Sequence, residues 1–459
     1  IYAQHYNSEG VALWEANGRS IIDEPGNIAF YDVMRDASTG EIFIGWVHDP
    51  VSFSDALKFQ KLDENGAKVW ASDLLVAQST ACSPPHYILY IPNFQIVKSG
   101  TNCVVSLEAT YCGGANGHRI TRFDSAGNLI GPFQGEPEGN QYYSGSPGLG
   151  ATYDGSGESY LWYSDGNGAG AHARCLRVTL GGDTAWGPVD VLAGTNGLSW
   201  QFRGLSDETG AAFCFVTSGG ANGTDIYLRK LNSDGSWAWG GATTTICNLS
   251  GNQDIFYIDQ DDDYYYVSWA DSRPGAVLNA AIYAQKVDKA TGNIMWAANG
   301  VQVFSQNTYI PYAEFALTPA GEMIICNEAS IHPYFNAQKV NPDGTLAWAS
   351  TVQLADANYS PFYGDYMVIR SGTNMIAVWA DSNPGGGADG IYIGLITQLP
   401  DPCPEDLNGD GSVNTTDLLL FMGAFGCNSS CGPEDLNGDG AVNTTDLLLF
   451  MGAFGTVCP

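Results

Sequence analysis

Positive charge is scarce in this sequence: Lys and Arg number 18 against 49 Asp and Glu, for a net charge of −31. That balance argues against nucleic acid and anionic membrane as partners, and it favours cation binding and high solubility. Long apolar runs are absent as well, so no segment reads as a membrane span. The six His are scattered, and no His cluster with metal spacing, no G-x-S-x-G elbow and no phosphate-binding Gly loop followed by Lys occurs. Acidic residues are plentiful, but context marks none of them as half of a glycosidase pair. On these absences the chain is read as not an enzyme. An initiator Met and a signal peptide are missing before Ile1, which reads as the start of a mature or truncated form.

What is present points to a large folded β protein. Hydrophobic residues are 44% of the 459 and aromatics 12%, enough for a sizeable core and for more than one domain. The 57 Gly and 21 Pro require many tight turns. Eleven Cys fit an oxidising, extracellular setting better than a reducing cytosol.

One pattern recurs along the chain. Ile282-Tyr283-Ala284-Gln285-Lys286-Val287, a turn ending at Gly292, and a short run ending in Trp296 read as a β-hairpin. Copies align on Gly10, Gly66, Gly127, Gly182, Gly235 and Gly344. The seven glycines are 56, 61, 55, 53, 57 and 52 residues apart, and six of the seven have Trp four residues later, with Gly131 in place of the seventh. Between these hairpins lies a second pair of short strands, such as Phe256–Ile258 with Tyr264–Trp269. Four strands per period of this length predict a propeller blade. The expected fold is all-β, a seven-bladed β-propeller over residues 1–397, with eight blades the alternative. The Ile-Tyr strand occurs eight times, at Ile1–Tyr6 and again at Gly390–Ile396 among others. The count is therefore 29 strands, one more than seven blades need, and the surplus copy is a candidate edge for pairing with another molecule.

Connectivity sends every long segment to one face of the ring. There Tyr87, Tyr90, Tyr142, Tyr143, Tyr309, Tyr312, Tyr359 and Tyr363 accompany Asn, Gly and Asp, a mixture suited to glycans or protein partners. Cys82 and Cys112 fall in neighbouring loops of this face and are a candidate disulfide. Cys103, Cys214 and Cys326 lie on strands and are expected to be buried thiols. Two periods carry Trp269-Ala270-Asp271-Ser272-Arg273-Pro274-Gly275 and Trp379-Ala380-Asp381-Ser382-Asn383-Pro384-Gly385. With the following Ile-Tyr strand and G-x-x-x-W turn, the chain resembles secreted bacterial propeller proteins built from W-x-D-x-R-x-G repeats. Asp271 and Asp381 are read as loop anchors.

After a stiff linker at 398–402, residues 403–459 contain a duplication offset by 29. Oxygen-bearing residues stand at loop positions 1, 3, 5, 9 and 12, with Gly at 6, the spacing that wraps a hard cation. Two Ca²⁺ ions are expected. The first would be held by Asp406, Asn408, Asp410, the Ser412 carbonyl, Asn414 and Asp417. The second would be held by Asp435, Asn437, Asp439, the Ala441 carbonyl, Asn443 and Asp446. The loops end in Asp, and a Pro-rich stretch replaces an entering helix. In both respects the module resembles a dockerin, a tandem of calcium loops with exiting helices that docks on a cohesin-type partner. The resemblance implies partner recognition through Thr415 and Thr416 and through Thr444 and Thr445. Cys403 with Cys427, and Cys431 with Cys458, would clip each unit at its ends. The helices from Leu418 and Leu447 lack the basic residues many dockerins present, so they are expected to pack on each other or on the propeller.

The function expected from all this is non-catalytic: a secreted or cell-surface propeller for interaction or assembly. Its partner would be a cohesin-like protein or another copy of the chain, in one version as an extracellular polymer. The alternative is a carbohydrate-binding or carbohydrate-degrading protein carried by the dockerin-like module.

Overall fold

A computed structural model of the chain describes residues 2–3, 19–22, 27–35, 41–49, 55–63, 65–78, 88–99, 101–111, 116–134, 148–151, 158–165, 172–179, 184–192, 202–218, 223–273, 280–308, 314–318, 320–329, 334–355, 366–371, 374–381, 390–396, 405, 407, 412–428, 434, 436 and 441–455. The chain divides into two units. One comprises Ile1–Gly372 with Ile376–Leu395, the other Thr373–Met375 with Ile396–Pro459.

The first unit is built of antiparallel meanders. Among the described residues there are six four-stranded sheets, one three-stranded sheet and one two-stranded sheet. A representative sheet runs Gln253–Gln260, Tyr264–Asp271, Ala280–Asp288 and Val301–Thr308, each strand pairing with the next in sequence. First strands of successive sheets, such as Phe202–Asp207, Gln253–Gln260 and Phe315–Leu317, lie beside one another in chain order. That arrangement is propeller-like. Alternation puts Phe and Val of the middle strands into layers between sheets; Ala212, Cys214 and Val216 of one sheet share a core with Phe256, Tyr265 and Val267 of the next.

Both terminal Ile-Tyr copies contribute strands among the described residues. Gly390–Ile396 is the third strand of the three-stranded sheet, after Tyr366–Ser371 and Asn374–Asp381. Tyr2–Ala3 pairs separately with Arg19–Ser20.

The repeating hairpin does more than fill a core. Gln285 is fully buried; its Oε1 accepts from Lys286 N at 2.9 Å and Trp296 N at 3.0 Å, and its Nε2 donates to Ala297 O at 2.9 Å. This amide fastens the Ile-Tyr strand to the Trp turn. Gln60 makes the same bonds to Lys61 N and Trp70 N. The Trp then reaches the neighbouring sheet. Trp296 Nε1 donates to Pro342 O at 3.0 Å, Trp239 to Lys289 O at 3.1 Å, Trp186 to Ser233 O at 2.9 Å and Trp70 to Ser125 O at 3.2 Å. A cation joins at the same carbonyl: Lys286, Lys230, Arg177 and Lys61 each donate to the oxygen their Trp uses.

The turn glycine receives the indole. Gly344 has φ +90°, and a Cβ there would meet the Trp296 ring at 2.8 Å; Gly292, at φ +75°, would meet Trp239 at 2.5 Å. Both the backbone conformation and the close approach exclude a side chain. These Trp also belong to the cores: Trp296 is buried in one, and Trp70, Trp186 and Trp239 pack against others. Their rings cap the next sheet's turn, and their N–H groups satisfy its exposed carbonyl. At the joint after Leu129–Gln134, where Gly131 stands in the Trp position, the buried Arg122 donates to Val178 O alone at 3.5 Å. Burial lowers the pKa of this guanidinium, and Glu158 offsets part of that.

Candidate functional site

The second unit contains two copies of one small device. Helix α1 spans Thr415–Ala424 and helix α2 spans Thr444–Ala453. Both start three residues earlier than the apolar run alone suggests, because Asn and Asp build the N-terminus. Asn414 Oδ1 accepts from Thr416 N at 2.8 Å, Asp417 Oδ2 accepts from Asn414 N at 2.9 Å, and Asn414 Nδ2 donates to the Ser412 carbonyl at 3.0 Å. The second copy repeats these bonds with Asn443, Asp446 and the Ala441 carbonyl. This is a reciprocal cap with Asp in the role usually given to Glu or Gln.

The two copies lock together in crossed fashion. Gly426 N donates to Val442 O at 2.8 Å, Val442 N to Cys427 O at 3.0 Å, and Gly455 N to Val413 O at 2.8 Å. Val413, Phe421, Val442 and Phe450 are fully buried, and the two Phe rings stack with centroids 5.3 Å apart. The expected packing of helix on helix is thus present. Cys427 is disulfide-bonded. Cys403, Cys431, Cys458, Cys82 and Cys112 lie outside the described residues, while Cys103, Cys214 and Cys326 are buried thiols outside any disulfide, as are Cys175 and Cys247.

Of the expected calcium ligands, the structure brings together Ser412, Asn414 and Asp417, and likewise Ala441, Asn443 and Asp446. Asp406, Asn408, Asp410, Asp435, Asn437 and Asp439 lie outside the described residues. The donor chemistry suits a hard cation. Asp417 and Asp446 have no exposed surface, and residues 403–459 contain no Lys, Arg or His to balance them or Glu405, Asp406, Asp410, Glu434, Asp435 and Asp439. Buried carboxylates without basic side chains call for a cation, and carboxylate, amide and carbonyl oxygens are the set Ca²⁺ prefers.

One face of each helix remains outside the core. Thr415, Thr416, Leu419, Leu420 and Met422 are exposed on α1, Leu419 at 74%, and Thr444, Thr445, Leu448, Leu449 and Met451 are exposed on α2. The sequence placed the Thr pairs in partner recognition. It did not anticipate this partition, because apolar residues ring both helices and periodicity cannot choose a face.

In the first unit Asp271 is fully buried at the end of its strand. It accepts from Arg273 Nε at 2.9 Å, Arg273 N at 3.0 Å and Trp269 Nε1 at 3.0 Å, while Arg273 stacks on Tyr283 at 3.6 Å. The carboxylate is enclosed by the donors that shape its loop, an anchoring geometry. The strand Asn374–Asp381 brings Asp381 to the same position, and its side chain lies outside the described set. Of the Tyr-rich loop residues, Tyr87, Tyr142, Tyr143, Tyr309, Tyr312, Tyr359 and Tyr363 also lie outside it, as does the Tyr90 side chain.

Residues 404–453 match the dockerin type I domain. Domains of this family bind calcium and dock on cohesins, and they occur in extracellular cellulosome components. No curated protein matches the chain. Among solved structures, the chain is similar to a GH93 α-L-arabinofuranosidase of Fusarium graminearum, with 8% identity over 81% of this chain and 93% of that one and a TM-score of 0.38. It is also similar to the polysaccharide lyase Uly1, with 10% identity over 85% and 93% and a TM-score of 0.44. A puromycin-hydrolysing peptidase of Mycobacterium tuberculosis is 13% identical over 80% of this chain and 51% of that one, with a TM-score of 0.44. The expectation that the chain is not an enzyme finds no support in these matches, since all three of those proteins are enzymes. At such identities they assign neither substrate nor catalytic residue. Among the described residues no helix is long and apolar enough to cross a membrane.

Proposed function

We propose that the chain is an extracellular, carbohydrate-active protein whose sheet-built unit binds or degrades polysaccharide and whose dockerin module attaches it to a cohesin-type partner. The observation that carries the docking half is the uncovered apolar face on each module helix. Leu419, Leu420 and Met422, with Leu448, Leu449 and Met451, sit beside the exposed Thr pairs at the helix starts. Apolar surface of this kind marks an interaction site. Two calcium ions, one per loop, hold the faces in place. The glycan half is supported by the long loops rich in Tyr, Asn and Asp that the repeat connectivity gathers on one side. Within this account Thr415, Thr416, Thr444 and Thr445 contact the partner, and the Cys403–Cys427 and Cys431–Cys458 bridges clip the two units. Calorimetric titration of the full chain against a cohesin panel, with calcium and with chelator, tests the first half; calcium-dependent binding is expected, and calcium-dependent self-association without cohesin binding would replace cohesin by a second copy. Incubation with a polysaccharide panel, read as new reducing or unsaturated ends, tests the second.

A further inference from the structure

Among the described residues the accessible sulfur is thioether rather than thiol. Cys103, Cys175, Cys214, Cys247 and Cys326, the described cysteines outside any disulfide, are all buried. Burial also raises the pKa of Cys175, Cys214 and Cys326, which keeps those thiols protonated and poorly reactive. The seven methionines divide differently. Met323 and Met375 are buried and Met34 packs against a core, whereas Met295, Met367, Met422 and Met451 are exposed.

Two of these four belong to the docking faces. Met422 on α1 and Met451 on α2 hold the same position in the two copies, each 51% exposed and each next to the buried Phe of its helix, Phe421 or Phe450. The only charged residues of the two helices, Asp417 and Asp446, are buried, so the faces are uncharged. Because the copies match, an oxidant that alters one face alters the other, and the module keeps no insensitive face in reserve.

Oxidation changes what such a face offers. The thioether sulfur attacks the hydroxyl oxygen of a peroxide, and an S–O bond forms as the O–O bond breaks. The hydroxyl proton passes to the departing oxygen, which leaves as water from hydrogen peroxide or as an alcohol from an organic hydroperoxide. Sulfur is oxidised by two electrons and the peroxide is reduced. The sulfoxide is polar where the thioether was apolar. Under an apolar partner it is buried without a donor, which disfavours binding. The module's own core of Val413, Phe421, Val442 and Phe450 contains no methionine, so its packing survives.

We propose that Met422 and Met451 form an oxidation-sensitive pair through which peroxide releases the docking module from its partner without unfolding it. The inference rests on the docking reading above. The test is calorimetric titration of the calcium-loaded full chain with the cohesin that binds in the panel above, before and after hydrogen peroxide that is then removed with catalase. Peptide mass spectrometry counts the oxygen added at each methionine, and the readout is the ratio of the two affinities within each protein. The wild-type chain should weaken roughly 10-fold or more, its α1 and α2 amides should stay protected from hydrogen exchange, and methionine sulfoxide reductase should restore binding. Met422→Leu with Met451→Leu removes both thioethers and keeps apolar side chains of similar volume. Its ratio should be near unity although Met295 and Met367 are still oxidised. Met295→Leu with Met367→Leu should lose affinity as the wild type does. Unchanged affinity in a wild-type chain oxidised at both positions overturns the inference. So does a loss that persists in the Met422→Leu, Met451→Leu chain, or one that accompanies loss of helix protection. A chain that binds no cohesin before peroxide removes the docking reading and this inference with it.

Discussion

In the sheet-built unit, large aromatic side chains close joints: Trp296 is only 7% exposed, its indole lies on Gly344 of the next sheet, and its N–H meets a carbonyl there. In the dockerin module the allocation is reversed. Four residues, Val413, Phe421, Val442 and Phe450, make the fully buried core, and Leu and Met cover the outside. Among the described residues the module buries few apolar side chains, and a bound cation adds to the stability of so small a core. The sheet unit carries several extended cores. The comparison teaches that apolar residues serve cohesion in one region and recognition in the other.

The largest effect that could break this contrast is calcium removal. With free calcium at about a thousandfold excess over Kd, each bound ion contributes about 4 kcal/mol, and the proposal above places two in the module. Chelator should abolish hydrogen-exchange protection in α1 and α2 while leaving the sheet amides protected. Loss of protection in the sheets as well would erase the distinction.

Next come single truncations. Phe421→Ala should cost the calcium-loaded module about 3–5 kcal/mol through the cavity beside Phe450. Asp271→Ala should cost the sheet unit about 3–5 kcal/mol, because it strands the buried donors of Arg273 and Trp269. Each should shift only its own unit's midpoint in denaturant titration.

A smaller, pH-dependent effect belongs to the sheet unit alone. Burial raises the pKa of Glu314 to about 7 from the ordinary glutamate value of 4.5, so the folded state holds a proton that the unfolded state releases in that interval. Its stabilising contribution is complete below about pH 4.5 and is lost as pH rises through about 7. The fall is on the order of 2–3 kcal/mol. Glu314→Gln should flatten that part of the stability profile, as read from urea midpoints at stepped pH.

The smallest effect on stability should be the most damaging to docking. Leu419→Asp with Leu448→Asp lies on the exposed faces and should change the module's unfolding free energy by less than about 0.5 kcal/mol each. Cohesin titration should nevertheless show a large loss of affinity. Unchanged affinity would sharpen the comparison against the recognition role of these faces.

Much of the fold was legible. The Gly and Trp period announced the four-stranded unit, since only glycine tolerates φ near +90° under an indole, whereas the two module helices were expected but their starts were read three residues late, at Leu418 and Leu447. The partner of each Trp was not legible, because the carbonyl it meets lies about 50 residues away in the next period. Nor could TTDLLLFMGA reveal which face is buried: every face is apolar, and only the crossed pairing of Val413 and Val442 with the opposite unit selects Phe421 and Phe450.

Differential scanning calorimetry of the full chain, with calcium and then with chelator, tests the central claim most directly. Two transitions are predicted, of which the module's moves down by tens of degrees or disappears without calcium while the sheet unit's stays in place. A single transition that moves as a whole, or two that both ignore calcium, would contradict the account of a cation-clamped docking module carrying a self-sufficient sheet unit.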